Sequence, residues 1–136
     1  MGSATVASVK EGAVVVANGL VGWALCGATM GVGMRVFSLE AALILHAFAA
    51  PVVFAALSFV YFRRLGSWSP LRTASAFLGV VVVMDVFVVA MLIERSFEMF
   101  RSILGTWLPF LFIFSSTWWT GHTVRRAAAG KNSYRS

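Results

Sequence analysis

Four stretches of about twenty residues without a charged pair set the limits on what this 136-residue chain can become. Residues 13–34, 41–62 and 103–121 contain no Asp, Glu, Lys or Arg, and residues 73–93 contain only Asp85. Each is close to the ~20 residues that an α-helix needs to cross ~30 Å of hydrocarbon. A soluble fold of this size cannot cover so much apolar surface: the chain is 60% hydrophobic and only 12% charged, where a typical globular chain is about 25% charged. The sequence therefore predicts an all-α integral membrane four-helix bundle, folded as a single transmembrane domain over residues 1–136. Its helices are expected at about 13–34, 41–62, 72–93 and 103–121, followed by a basic tail over 122–136.

The net charge of +6 invites a nucleic-acid reading, and the placement of the charges argues against it. The basic residues lie between and after the apolar stretches and form no groove-reading element. Their distribution instead gives orientation. Lys10, Arg63, Arg64, Arg72, Arg125, Arg126, Lys131 and Arg135 fall on one side; Arg35, Arg95 and Arg101, accompanied by Glu40, Glu94 and Glu98, fall on the other. The positive-inside rule makes the first side cytoplasmic. Both termini are then inside, as four crossings require. The first stretch is too long for a signal-peptide core and has no A-x-A site at its end, so it is read as a retained helix. A single cysteine, Cys26, excludes an intrachain disulfide.

Local signals mark the element ends. Ser38 and Ser69 stand where N-caps belong, Pro70 suits the first position of a helix, and Gly66 suits a C-terminal cap. Residues 1–12 are small and polar and are expected to fray, as is the tail beyond Thr123. Tyr61, Trp107, Trp118 and Trp119 fall at the depths of aromatic belts. Gly27-x-x-x-Gly31 is a small-residue motif that permits close helix packing, within the chain or between copies. Pro51 and Pro109 are expected to kink helices two and four. Shifted by 58 positions, the second hairpin echoes the first at Ser38/Ser96, Glu40/Glu98, Pro51/Pro109, Phe54/Phe112 and Ser58/Ser116. Those matches suggest two parallel helical-hairpin repeats about an axis along the membrane normal.

Asp85 is the most informative residue. A charged carboxylate near the centre of a valine-rich span costs at least ~3 kcal/mol. It must face the protein interior or water, find a partner, or remain protonated. His46 lies roughly 8 Å outward of the midplane and Asp85 roughly 3 Å outward, at 1.5 Å rise per residue. The two form a candidate intramembrane polar pair, suited to a proton relay or a cation site. The alternative for each is a structural group bonded to a neighbouring helix. Cys26, at roughly 4 Å outward, has the chemistry of a third ligand with them, but no ligand pair has a local metal spacing, so no metal is expected. His122 lies at the opposite edge, too far from His46 to share a haem within one chain, and no cofactor is expected. Phosphate-loop, H-E-x-x-H, G-x-S-x-G and C-x-x-C motifs are all missing. Among four-helix chains of this size, small multidrug transporters carry a glutamate inside helix one, whereas Glu11 precedes the span.

The residues favour ion, proton or small-solute transport by an oligomer, since four helices rarely enclose a path alone. A non-catalytic accessory or assembly subunit of a membrane complex is the alternative. An enzyme is the weaker reading, because no catalytic constellation is present. The expected partners are the lipid bilayer and further copies or a larger membrane complex. An Ala-, Val- and Arg-rich chain without eukaryotic targeting motifs points to a bacterial cytoplasmic (inner) membrane.

Overall fold

The computed structural model describes residues 2–64 and 68–135, and the expected cap at Gly66 lies outside them. Among the described residues the secondary structure is entirely helical. Helix α1 spans Gly2–Val36, α2 Leu39–Arg64, α3 Pro70–Met84 and α4 Leu108–Arg135. Beyond Met84 the third helix continues as a π-helix over Asp85–Ile93. A 3-10 turn at Glu98–Arg101 and a π turn at Ile103–Trp107 then lead into α4.

Capping follows the sequence. Ser38 Oγ accepts from the Ala41 amide at 3.3 Å, and Ser69 Oγ accepts from the Arg72 amide at 3.2 Å with Pro70 just inside the helix. The terminal segments do not follow it. Residues 2–12 and 123–135 are helical rather than frayed, so α1 and α4 extend well past their apolar stretches. At the end of the bundle that holds both termini, termed its inner end, Tyr61 is buried at 1% exposure instead of facing an interface, and its hydroxyl donates to Glu11 Oε1 at 2.8 Å. That bond anchors the first turns of α1 against α2.

Three helices are long and apolar enough to cross a membrane: Thr5–Val36, Leu39–Arg64 and Pro70–Ile93. Their outward faces carry large apolar side chains, including Phe48 at 69% exposure and Leu92 at 71%. Water would penalise such faces and lipid does not. The fourth helix is less apolar because Thr, Ser, Trp and Gly crowd residues 115–121. It nevertheless packs along both α2 and α3.

The helices stand at the corners of a square. α2 packs against α1 and α4, and α3 packs against α1 and α4, leaving α1 diagonal to α4 and α2 diagonal to α3. A two-fold axis along the bundle would place repeat mates, α1 with α3 and α2 with α4, on the diagonals. Both are neighbours, so this packing does not have the symmetry that the 58-residue echo suggests.

The inner half of the square is filled. Phe54 and Phe77 meet across the diagonal with ring centroids 5.7 Å apart, and Phe77 stands 6.5 Å from Tyr61. Close helix approach is set by Gly22 of α1 and Gly121 of α4. A Cβ on Gly22 would lie 2.5 Å from Phe54 Cζ, and one on Gly121 would lie 2.6 Å from the Phe62 ring. The outer half is not filled.

Candidate functional site

Above the Phe54 and Phe77 rings the four helices diverge around a cavity of about 940 Å³. Its wall runs from Phe54 and Ile113 at the bottom to Ser96, Glu98 and Met99 of the outer connection. Asp85 and His46 both line it. Asp85 is the first residue of the π segment, and its amide donates to both Val81 O and Val82 O. The wider π turn sits where the carboxylate enters the cavity wall, a position where such segments recur at functional sites.

The carboxylate has a partner, and it is not His46. Trp23 Nε1 of α1 donates to Asp85 Oδ1 at 2.9 Å. No hydrogen bond joins Asp85 to His46, whose Nδ1 is buried without a partner among the described residues. The packing accounts for this: α2 and α3 are diagonal and α1 is the neighbour of both, while His46 and Asp85 line the same cavity. The side chains of α1 face each group in turn. The imidazole meets the backbone of Cys26, while the Cys26 thiol and Asp85 are electrostatic neighbours. Glu94, at the end of the π segment, adds a second negative charge near Asp85.

Trp23 is the residue of the site that the sequence alone did not single out. It stands almost at the middle of its apolar stretch, and within a few ångströms of Asp85 along the bundle axis. A midspan indole N–H needs an acceptor, and matching its depth to that of the lone midspan carboxylate would have identified the pair.

Within the chain, Gly27 and Gly31 line the cavity and meet no other helix. A Cβ at either position would meet nothing within 4 Å. The glycines of α1 that do allow close approach are Gly19 against Val80, Gly22 against Phe54, and Gly33 against Ala42. Pro51 is interior to α2. Pro109 is the second residue of α4, directly after the π turn, where its missing N–H is accommodated, and it too lines the cavity. Among the described residues, no three His, Cys, Asp or Glu side chains come together to hold a metal ion, Cys26, His46 and Asp85 included. At the other end of the bundle, His122 stacks on Trp118 with centroids 5.5 Å apart.

The outer rim is clamped. Thr106 Oγ1 donates to Met99 O at 2.6 Å and Trp107 Nε1 to Phe100 O at 2.7 Å. Two residues past the π segment, Arg95 has a left-handed φ of 51°, and the Ser96 amide returns to Ala90 O at 2.9 Å. A non-glycine residue there stores about 1–2 kcal/mol of strain. Strain and π geometry thus gather along one connection, at the mouth of the cavity.

No protein-family model, no curated protein and no solved structure matches this chain. What the fold itself defines, among the described residues, is a helical protein with three helices able to span a membrane and a carboxylate on the wall of a cavity between its helices.

Proposed function

We propose that this chain is a small polytopic protein of a bacterial inner membrane that transports an ion, a proton or a small solute as an oligomer. In this reading all four helices cross, with both termini cytoplasmic. The observation that carries it is Asp85: an ionisable side chain deep in an apolar helix, on the wall of a cavity of about 940 Å³ that extends to the outer connection. Intramembrane carboxylates are expensive and mark ion, proton or substrate paths. Phe54 and Phe77 fill the inner half beneath the cavity, which reaches the outer connection. Transport would require those rings, or the helices carrying them, to part.

A second reading has its own observation. The Trp23–Asp85 bond ties α1 to α3, as it would in an accessory subunit whose polar interior only specifies packing. Purified protein in proteoliposomes separates the two. Under the transport reading Asp85→Asn abolishes proton or solute flux and leaves the oligomer seen by size-exclusion with light scattering intact. Under the accessory reading Asp85→Asn is nearly silent and Asp85→Leu breaks assembly. Unchanged flux in Asp85→Asn would refute the transport reading.

A further inference from the structure

We propose that the outer cavity binds an amphiphilic organic cation, an ammonium- or phosphonium-type head carrying apolar groups, with Asp85 as its counter-charge. The inference names a substrate class for the transport reading and rests on that reading for its biological meaning. Its first support is charge. Three carboxylates, Asp85, Glu94 and Glu98, belong to the lining, and among the described residues no Lys or Arg does. Arg35, Arg95 and Arg101 are not among the residues that line it. The acidic groups are also graded in depth: Glu98 is at the mouth, Glu94 ends the π segment, and Asp85 begins it. A cation moving inward passes each in turn, through a low-dielectric space that focuses their field.

The second support is size and wall chemistry. A bare inorganic cation is held by several oxygens converging at roughly 2–2.6 Å; here the carboxylates are spread along the cavity, and no group of three His, Cys, Asp or Glu converges. The volume of about 940 Å³ instead matches sites for drug-sized molecules, roughly 300–1,000 Å³. Trp23 lines the same cavity, and the indole is the aromatic ring that attracts a cation held over its face most strongly. Met30, Met34 and Met99 supply flexible thioethers that adapt to apolar groups of varied shape. Gly27 and Gly31 leave one wall without side chains.

The test uses the purified full-length protein in detergent and labelled tetraphenylphosphonium in equilibrium dialysis. Saturable binding is expected, weakened about tenfold or more in Asp85→Asn, since the charge interaction is lost while an acceptor for Trp23 remains. Gly31→Phe narrows the cavity from a position where an added Cβ meets nothing within 4 Å, and it should weaken binding while the thermal unfolding midpoint holds. That variant decides the matter if Asp85→Asn proves unstable. The neutral analogue triphenylphosphine oxide should bind about tenfold more weakly or worse. Absence of saturable binding, unchanged binding in either variant, or equal binding of the neutral analogue overturns the inference. Proton flux without phosphonium binding overturns it and leaves the transport reading standing. Binding without flux of any kind overturns the transport reading alone.

Discussion

Trp23 Nε1 lies 2.9 Å from Asp85 Oδ1, a hydrogen bond across 62 positions of chain that joins α1 to α3 at the edge of the cavity. Two magnitudes bear on its worth. A buried acceptor deprived of its donor costs about 1–3 kcal/mol, while side-chain hydrogen bonds between transmembrane helices average only about 0.6 and reach about 1.7 kcal/mol. Asp85 is half-buried with space beside it, so the lower range governs. Trp23→Phe is expected to destabilise the protein by about 0.6–1.7 kcal/mol. In the Asp85→Leu background the same change should cost about 0.5 kcal/mol or more less than that, because contacting residues couple. Reversible unfolding in mixed micelles measures the cycle. Strict additivity would mean that the bond contributes nothing.

Gly22 and Gly27 lie five residues apart on α1 and should respond to the same substitution with opposite sign. A Cβ on Gly22 would press into the Phe54 ring at 2.5 Å, whereas one on Gly27 would meet nothing within 4 Å. Overpacking costs about 1–3 kcal/mol, and replacing a helical glycine by alanine gains about 0.5–1 kcal/mol when space allows. Gly22→Ala should therefore lower the unfolding midpoint in detergent, and Gly27→Ala should leave it unchanged or raise it. A loss at Gly27 as large as that at Gly22 would mean that Gly27 packs against a second copy.

The helices were legible because length without charge is a one-dimensional signal, and the Ser38 and Ser69 caps because they act within three residues. What was not legible depends on which helices are neighbours. His46 was the obvious partner for Asp85 by chemistry and depth, yet α2 and α3 occupy opposite corners, and no periodicity in either helix reports that. Gly27-x-x-x-Gly31 has the spacing of a packing motif, but spacing cannot say whether a helix or a cavity faces it. The π segment at Asp85–Ile93 left no signature in a run of valines that suits any helix. Glu11 was read as a residue before the span because charge was taken to end the helix. Its bond to Tyr61 shows the charge satisfied within a longer one.

Tyr61→Phe removes only the hydroxyl that donates to Glu11 at 2.8 Å, keeping the ring packed beside Phe62 and Phe77. A net loss of about 1 kcal/mol is expected. The more specific consequence is local: amides in residues 2–12, held to α2 through this contact, should exchange faster with solvent deuterium while those near Phe54 keep their protection. Equal exchange in both proteins would show that other contacts hold the first turns.

The number of crossings is testable through the two ends of the chain, since an even number puts both termini on one side and an odd number does not. The hydropathy of three helices suffices for spanning, and that of α4 is diluted by the Ser, Thr and Trp of residues 115–121. The eight-to-three division of basic residues between the two sides nevertheless favours four crossings, because the tail carrying Arg125, Arg126, Lys131 and Arg135 would otherwise lie outside, against the positive-inside rule. Cysteines placed in a Cys26→Ala background report this directly. Ser38 is exposed in the turn between α1 and α2, and its cap to Ala41 is long at 3.3 Å, so Ser38→Cys should cost no more than about 1 kcal/mol. An impermeant maleimide added to intact cells is expected to label Ser38→Cys and to reach Ser133→Cys only after lysis. Labelling of both in intact cells would leave α4 on the outer surface and reduce the bundle to three crossings. Labelling of Ser133→Cys alone would invert the whole topology.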